Sequence, residues 1–452
     1  MKPDPKNIVI IEKVIAGGMG LGHLDSGMVV LAPKVLPEEE IRFRIIKRHK
    51  DYLEAECLEI FTPSPFRVIP QCPLFGKCGG CDLQHVVYDY QLVLKDAIVR
   101  DLLVRGGVGN YQDIQRIING PILPSPKTFG YRQRIRLQVD PKTSRPGYYQ
   151  IRSHKVVPVD RCPLAGIEIN QALSEVGDSE HFQELLNQTQ SVEFILSPVD
   201  EKVILLLHYQ RKPRPQDRNH AEQLMRNTPV LKNILFSVAD FGLMDSQGRM
   251  GEAAVFDSLV HFKVSGAAAG SQTLEMTLEP GGFCQVNLEQ NDNLVKILLE
   301  WTDPGPDARI LDLFCGMGNF SLPLAGKAAE VIGMDLQRSS VRSAKRNALI
   351  AGLENCRFDK MTAVEAVKKL YENNERFETI LLDPPREGCN EVIPFLEKIG
   401  AGMLIYISCD PSTLARDLGL LRDFGYIVDR LQVVDMFPQT HHMETIVRLV
   451  KN

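Results

Sequence analysis

Three apolar runs in the last third of the chain end abruptly in turn residues, and this repeated pattern limits the fold more than any other feature. The first run ends in a Gly-rich turn at residues 315–319, the second ends at Asp383, and the third ends at Cys409. Short runs of β-favouring residues with such ends are typical of buried strands. The carboxyl ends of strands in a doubly wound α/β sheet form the ligand crevice. The pattern therefore predicts a glycine turn, a carboxylate and a thiol at one sheet edge.

The chain is long enough for further domains, and its charge is unevenly distributed. It has 452 residues, which predicts several domains with hydrophobic cores of their own. The net charge is −5, yet basic residues strongly outnumber acidic ones between Lys127 and Arg161, and a second basic segment spans residues 211–218. Such patches favour a polyanionic partner, and a solvated charged face is the alternative interpretation.

The chain shows no targeting or membrane segment. Residues 1–6 precede no long apolar core of the signal-peptide type, and no run approaches the roughly 18 apolar residues that cross a bilayer. We therefore expect a soluble, cytoplasmic protein without a membrane partner, and a monomer as the default state.

Short strand-like runs separated by glycine and proline fill residues 1–65. This spacing predicts a closed, five-stranded β barrel of the OB type, a fold that often binds oligonucleotides. A run of basic residues between Arg42 and Lys50 suits that use. A plain packing module is the alternative, because acidic and basic residues balance in this region.

Three cysteines lie within ten residues of one another in a loop rich in glycine and proline. Cys72, Cys78 and Cys81 have the spacing C-x5-C-x2-C, and Cys162, which like Cys72 is followed by Pro-Leu, is the best candidate for a fourth ligand. Four thiolates suit an iron–sulfur cluster or a structural zinc ion, and the wide first spacing favours the cluster. His85 is an alternative ligand, although a lone histidine after a loop is more often a packing residue.

A basic strand and a helix stand out in residues 66–270. Alternation in residues 131–139 predicts a strand with Arg132, Arg134 and Arg136 on one face, where they could bind phosphates beside two tyrosines of the next strand. A salt-bridged surface is the competing explanation. Residues 91–105 predict an amphipathic helix that ends at the following glycine pair.

The glycine turn and the carboxylates of the C-terminal part indicate a nucleoside cofactor. The turn lacks the third glycine of the dinucleotide fingerprint, and Asp335 ends the next predicted strand, where a carboxylate can bind ribose hydroxyls. S-adenosylmethionine fits better than NAD because this turn has no pyrophosphate to hold. Asp383 ends a neighbouring strand, at a position that methyltransferases use beside the methyl group.

Cys409 indicates the chemistry. Carbon 5 of a pyrimidine is a poor nucleophile, and a thiolate that adds to carbon 6 converts the ring to an enolate that can attack a sulfonium methyl group. A base must then remove the carbon-5 proton so that the thiol can leave. Glu444 lies just ahead of the final predicted strand and is the candidate base. A lone cysteine at a strand end is more often a buried thiol, but the cofactor turn and Asp383 favour the nucleophile.

Six motifs together resemble the RNA uracil-5 methyltransferases that carry a TRAM barrel and a 4Fe–4S cluster. The resemblance covers nearly the whole chain. The motifs are the cysteine spacing with its later cysteine, F-C-Q-V-N at 283–287, D-L-F-C-G-M-G-N-F at 312–320, D-P-P-R at 383–386, S-C-D-P at 408–411 and M-E-T-I at 443–446.

The resemblance implies a multidomain fold and a set of roles. The domains are an OB-like β barrel (TRAM) at 1–65, an α+β iron–sulfur and RNA-binding domain at 66–270, and an α/β Rossmann-like methyltransferase domain at 271–452. By position, Cys409 is the nucleophile and Glu444 the general base. The implied S-adenosylmethionine contacts are Gln285, Phe314, Asn319, Asp335 and Asp383. The implied ligands of the 4Fe–4S cluster are Cys72, Cys78, Cys81 and Cys162. Family structures also imply that a helix near residues 90–120 packs on the catalytic domain.

Three positions depart from the family pattern. Asp335 stands where many relatives have Glu, which shortens the reach to the ribose. Thr362 replaces an Asp that is common near the adenine, and Glu38-Glu39 replaces the Gly-Glu pair of a barrel turn.

The resemblance therefore predicts methylation of carbon 5 of a uridine in structured RNA, with 23S rRNA favoured because barrel and cluster resemble the ribosomal branch. A tRNA uracil-5 and an RNA cytosine-5 methyltransferase are the enzyme alternatives. The cytosine class resembles a design with a cysteine directly after Asp-x-Pro, whereas here Arg386 follows and Cys389 comes later. A non-enzymatic RNA-binding or cluster-sensing module is disfavoured by the intact Cys409 and Glu444.

Overall fold

The predicted C-terminal strands form one seven-stranded sheet. The protein is described by a computed structural model that covers residues 7–118, 120–239, 241–268 and 271–452, so that residues 1–6 lie outside it. The strand order is β18-β17-β16-β19-β20-β22-β21. The first five strands are parallel to one another, and β22 is antiparallel to both of its neighbours, β20 and β21. The strands are β16 (Arg309–Leu313), β17 (Glu330–Asp335), β18 (Cys356–Lys360), β19 (Thr379–Leu382), β20 (Met403–Ser408), β21 (Tyr426–Val434) and β22 (Glu444–Lys451). The prediction of a doubly wound, Rossmann-like sheet is confirmed.

Helices cover both faces of this sheet, and its central strands are apolar because both faces are buried. The helices are α7 (Leu288–Thr302), α8 (Ser321–Ala325), α9 (Arg338–Ile350), α10 (Ala363–Glu372), α11 (Ile393–Ile399) and α12 (Pro411–Asp423). Two further strands, β14 (Val260–Ala268) and β15 (Ser271–Leu278), pair antiparallel and contact α7, α8 and α9. The predicted domain boundary at residue 270 falls between the described residues 268 and 271 and stays a prediction.

The N-terminal strands form a six-stranded sheet of order β1-β5-β6-β4-β3-β2. They are β1 (Ile8–Ile10), β2 (Lys13–Ile15), β3 (Met19–His23), β4 (Val29–Pro33), β5 (Glu40–Arg48) and β6 (Tyr52–Thr62). The predicted count of five strands is wrong because the apolar run that begins at Ile8 forms two strands instead of one. The chain pairs with β5 up to Ile10, and the Glu12 N–H then donates to Leu21 O at 2.8 Å, so that β2 pairs with β3 instead.

A second seven-stranded sheet, of order β13-β12-β11-β10-β7-β8-β9, occupies the middle of the chain. Its strands are β7 (Arg134–Val139), β8 (Pro146–Tyr149), β9 (Val156–Pro158), β10 (Thr189–Ser197), β11 (Lys202–Tyr209), β12 (Leu231–Val238) and β13 (Gly242–Asp245). Neighbouring helices are α3 (Ile167–Gly177), α4 (Glu180–Leu186), α5 (Pro215–Asn227) and the short α6 (Glu252–Val255), which a 3-10 turn at Phe256–Ser258 follows. Apolar residues of the sheet and of α3, α4 and α5 form one core.

Two helices of the middle segment pack on the C-terminal part instead of on this sheet. They are α1 (Tyr88–Arg105) and α2 (Tyr111–Ile117), and they contact α12 and β21 respectively. The predicted end of α1 at Gly106 is confirmed, because the Gly106 N–H donates to Leu102 O at 2.8 Å. The prediction of a simple amphipathic helix is wrong, since polar Gln91 and Lys95 are as buried as the apolar Ile98. No helix within the described ranges is long and apolar enough to span a membrane.

Candidate active site

The topology brings the predicted catalytic residues to one edge of the C-terminal sheet. Strands β19 and β20 are parallel neighbours, so Asp383 and Cys409 follow them at the same edge. Strand β22 runs antiparallel to β20, and Ser408 pairs with Thr445. Because β22 begins where β20 ends, Glu444 lies beside Cys409. The strand topology thus explains why residues 26 to 61 positions apart in sequence meet here.

The nucleophile candidate lies in an environment that keeps its thiol protonated in the free protein. Burial, followed by the charge of the nearby Glu444, raises the pKa of Cys409 to about 11. The Arg386 guanidinium opposes both effects, through its charge and through a hydrogen bond to the sulfur. Arg386 is therefore the group that favours the reactive thiolate.

Glu444 is poised to hold a proton. Its side chain is buried, with only 2% of the residue exposed. Burial raises its pKa well above the ordinary value for Glu, the charge of Asp383 adds to that rise, and Arg386 opposes it. A carboxyl group in such surroundings changes protonation state readily when charges around it change, as a general base must.

Sequence reasoning gave Arg386 no role beyond its place after Asp-Pro-Pro, whereas the structure puts its guanidinium beside the Cys409 thiol. The residue follows Asp383-Pro-Pro directly and lines the cavity in front of Cys409. The sequence signal for this role was the position of Arg386 in the same turn as Asp383, because that turn lies beside the Cys409 thiol.

The glycine turn after β16 and the adjoining carboxylates form a crevice. Phe314 begins the turn with a φ of 71°, a left-handed conformation that side chains rarely adopt. The Gly316 N–H donates to Asp335 Oδ2 at 3.0 Å, and the Gln337 N–H donates to Oδ1 at 2.7 Å. Asp335 is thereby fixed at the end of β17 beside the turn, which leaves lone pairs of both oxygens for further donors.

Two more acidic groups enclose this crevice. Burial raises the pKa of Asp312 to about 8 and that of Asp383 to about 7, and the charge of Asp335 adds to both shifts. Asp312 accepts a hydrogen bond from the Ser321 hydroxyl, and its other oxygen is buried without a hydrogen-bond partner. A cluster of carboxyl groups of this kind favours a cationic ligand.

Of the remaining predicted cofactor contacts, Asn319 lies in the glycine turn itself. Asn319 and Asn291 exchange two side-chain hydrogen bonds of 2.8 and 2.9 Å, which orient both amides. Gln285 is buried in the segment that passes Gln133, whose N–H donates to Val286 O at 2.9 Å. Thr362, at the family's adenine-contact position, begins α10 as its N-cap and forms a capping box with Glu365, so its hydroxyl serves the helix.

The cavity in front of Cys409 draws its walls from three parts of the chain. Its lining includes Ala16 and Gly17 of the N-terminal sheet, Ile98 of α1, and His441 of the loop before β22. A pyrimidine that enters this cavity would therefore contact the N-terminal sheet as well as the catalytic strands.

The four predicted cluster cysteines share a second cavity. Cys72, Cys78, Cys81 and Cys162 all line it, together with Arg132 and Tyr148. Burial raises the pKa of Cys81 to about 12 and also raises that of Cys78, with contributions from the neighbouring thiols. Within the part of the chain that the structure describes, no three His, Cys, Asp or Glu side chains could hold a single metal ion as they stand. The alternative ligand His85 lies apart from this cavity, with its buried ring near Phe75.

The predicted face of three arginines is reduced to two, and its use in binding phosphate stays a prediction. Arg134 pairs with the buried Glu193 of β10 and donates to Gly282 O at 2.6 Å. Arg136 donates to Ser191 at 3.0 Å, and 53% of its side chain is exposed. Arg132 lies outside β7 and lines the cysteine cavity instead. The buried Glu193 carboxylate requires a cation, which explains the salt bridge of Arg134.

The chain is similar to proteins of one family over most of its length. The family model described as tRNA (Uracil-5-)-methyltransferase matches residues 122–452. The 23S rRNA (uracil(1939)-C(5))-methyltransferase RlmD of Vibrio campbellii is 31% identical, over 98% of this chain and 96% of that protein. The protein of the same name from Alkalilimnicola ehrlichii is 33% identical over 95% and 93%.

A solved structure extends the likeness to the whole fold. The tRNA (uracil-54, C5)-methyltransferase of Pyrococcus abyssi, in complex with S-adenosyl-L-homocysteine, superposes with a TM-score of 0.70 at 25% identity. The match covers 98% of this chain and 100% of that chain.

Proposed function

The chain belongs to the tRNA (uracil-5-)-methyltransferase family, whose members are S-adenosylmethionine-dependent RNA uracil-5 methyltransferases, and we propose that it methylates a uridine of 23S rRNA through a covalent adduct on Cys409. The observation that carries the proposal is the placement of Cys409 and Arg386 on one cavity at the end of β20, with the buried Glu444 beside Cys409. Ribosomal RNA is favoured over tRNA because relatives with that printed activity share 31–33% identity over nearly full length, against 25% for the tRNA enzyme.

The reaction begins with Cys409. Its thiol loses a proton, with the thiolate favoured by Arg386, and the sulfur adds to carbon 6 of the uracil. The electron pair of the former double bond moves to carbon 5 and carbonyl oxygen 4. Carbon 5 then takes the methyl group of the cosubstrate S-adenosylmethionine, which leaves as neutral S-adenosylhomocysteine.

Glu444 completes the cycle. As a carboxylate it removes the proton from carbon 5, the double bond re-forms, and the Cys409 thiolate leaves carbon 6. Its high pKa in the free protein matches this task, because a base of high pKa holds the abstracted proton. The proton returns to solvent before the next turnover.

We assign the cosubstrate to the crevice at the ends of β16, β17 and β19. Its contacts are Gln285, Phe314, Asn319, Asp335 and Asp383. The sulfonium group carries a positive charge, and the acidic groups of this crevice complement it. The product is neutral, so the same charges favour its exchange for a new cosubstrate.

The N-terminal sheet, proposed as a TRAM barrel, serves RNA binding in this account. Ala16 and Gly17 line the cavity in front of Cys409, so RNA whose uridine enters there must pass this sheet. Its basic residues on β5 are partly neutralised by acidic neighbours, as in the Arg42–Glu59 pair at 2.6 Å.

We further propose a 4Fe–4S cluster held by Cys72, Cys78, Cys81 and Cys162. Four cysteines that line one cavity fit this group, which four thiolates hold. When bound, the cluster would link two distant segments of the middle domain. Cys81→Ser should lose iron, measured by elemental analysis, whereas Cys57→Ser should retain it; equal iron in both variants would contradict the assignment.

The covalent mechanism is tested with two variants and an rRNA fragment. Cys409→Ala should lose turnover and form no adduct on a denaturing gel. Glu444→Gln should accumulate a protein–RNA adduct, because the thiol cannot leave while carbon 5 keeps its proton. Normal turnover of Cys409→Ala would refute the nucleophile, and free turnover of Glu444→Gln without a trapped species would refute the base.

A further inference from the structure

The loop that leads into Glu444 is held mainly by residues from outside the catalytic sheet. This loop, residues 435–443, is called the pre-Glu444 loop below. Lys95 of α1 donates to Phe437 O at 3.1 Å and to His442 O at 2.9 Å, and Tyr131 donates to Pro438 O at 3.0 Å. The placement of the candidate base therefore depends on the middle of the chain.

The residues that follow Cys81 also form hydrogen bonds to the pre-Glu444 loop. The Asp82 and Leu83 N–H groups both donate to Gln439 O, at 3.2 and 3.0 Å. The Asp82 carboxylate accepts two hydrogen bonds from His441, one from its N–H at 2.9 Å and one from Nδ1 at 2.5 Å. Asp82 directly follows Cys81, so the cysteine loop and the pre-Glu444 loop are joined here.

His441 connects this contact to the reaction cavity. It lines the cavity with Cys409 and Arg386, whereas Asp82 does not belong to the lining. A third segment closes on the pair, because a Cβ atom at Gly18 would stand 3.4 Å from the Cβ atoms of both Asp82 and His441. One carboxylate thus fixes a cavity wall that three parts of the chain share.

We propose that Asp82 is a positioning residue that holds His441, and with it the pre-Glu444 loop, in the arrangement that methyl transfer requires. The inference rests on the proposed roles of Cys409 and Glu444. It gives the cysteine loop a task in the reaction without placing any cysteine near the substrate. The carboxylate is the important feature, since a charged acceptor binds two donors of one residue more strongly than a neutral acceptor.

A matched control exists on the N-terminal sheet. The Glu12 carboxylate also accepts from the N–H and from Nδ1 of one histidine, His23, at 3.1 and 2.8 Å. That pair is exposed, with 45% and 50% of the two side chains accessible, and it lies away from the cavity lining. Glu12→Gln therefore removes the same kind of contact without touching the pre-Glu444 loop.

The test compares Asp82→Asn with Glu12→Gln in the iron-loaded, full-length protein. Hydrogen exchange followed by mass spectrometry should show residues 437–443 exchanging roughly tenfold faster or more in Asp82→Asn and unchanged in Glu12→Gln. Single-turnover and steady-state methylation should show kcat lower by roughly 10–100-fold with the KM for RNA unchanged, because the loop is displaced while the RNA surface is intact. Iron content should equal that of the wild type.

A second variant separates the contact from the fold of the cysteine loop. His441→Gln removes the same hydrogen bond from the other side, and the double variant should exchange no faster than either single variant, because both remove one interaction. Unchanged exchange or unchanged kcat in Asp82→Asn would overturn the inference, as would loss of iron, which would make Asp82 part of the cysteine site. The exchange measurement does not depend on catalysis, so failure of the proposed function, seen as a wild type without methylation, is distinguishable from failure of this inference.

Discussion

Removal of the buried Lys95 charge should destabilise the protein far more than removal of an exposed lysine charge. Lys95 and Asp435 form an ion pair at 2.5 Å, and both side chains are fully buried. Lys95 also donates to two carbonyl oxygens of the pre-Glu444 loop, and the Tyr88 hydroxyl donates to the other Asp435 oxygen at 2.8 Å. In Lys95→Met, Asp435 keeps its negative charge in an apolar interior with only Tyr88 as a side-chain donor.

The expected cost follows from the burial of both partners. Removing one partner of a buried ion pair costs about 3–5 kcal/mol, because the remaining charge is left uncompensated. For a cooperative unit of the size of the C-terminal sheet with α1, this lowers Tm by roughly 6–20 °C. In Lys95→Met/Asp435→Asn the uncompensated charge is absent, so the double variant should be more stable than Lys95→Met by at least about 1 kcal/mol.

Urea unfolding followed by circular dichroism measures these free energies, with Lys296→Met as the control. Lys296 forms an exposed pair with Asp292 within α7, and such pairs contribute only about 0.5 kcal/mol. A Lys95→Met variant within 1 kcal/mol of the wild type would refute the reasoning, as would a double variant less stable than the single one.

Three further predictions concern the barrel turn and the nucleophile. Glu38, which stands where the family has Gly, has a φ of 70°, so Glu38→Gly should stabilise the protein by about 1 kcal/mol with unchanged methylation, and a lower unfolding free energy would contradict this. Because the pKa of Cys409 is about 11, the thiolate fraction and the single-turnover rate should rise up to about tenfold per pH unit between pH 7 and 9, and a flat profile would contradict it. Arg386→Gln should be roughly tenfold slower at pH 7.5, because the guanidinium that favours the thiolate is absent, whereas an unchanged rate would exclude that role.

The catalytic edge could be predicted from the sequence because each strand and the functional residue at its end are contiguous in the chain. Each strand of the C-terminal sheet is a continuous apolar run with its turn residues attached, so Asp383 and Cys409 could be placed at strand ends directly. The topology of parallel strands then brings such ends together, whatever the distance between them in sequence.

The features that sequence reasoning missed depend on partners far along the chain. Lys95 and Asp435 are 340 residues apart, and nothing within α1 indicates that a lysine on its buried face meets a carboxylate. Arg134 likewise pairs with Glu193 of the neighbouring strand, so one cation of the predicted phosphate-binding face is neutralised within the protein. Alternation along a strand assigns its residues to one face of the sheet, but the charge that meets that face comes from another segment of the chain.

The central claim is uracil-5 methylation of 23S rRNA through Cys409, and nucleoside mass spectrometry tests it most directly. Purified protein is incubated with S-adenosylmethionine labelled in its methyl group and with unmodified 23S rRNA or tRNA, and the RNA is digested to nucleosides. The account predicts labelled 5-methyluridine in 23S rRNA, little in tRNA, and none with Cys409→Ala. Label in 5-methylcytidine, label in tRNA alone, or label that persists in Cys409→Ala would contradict it.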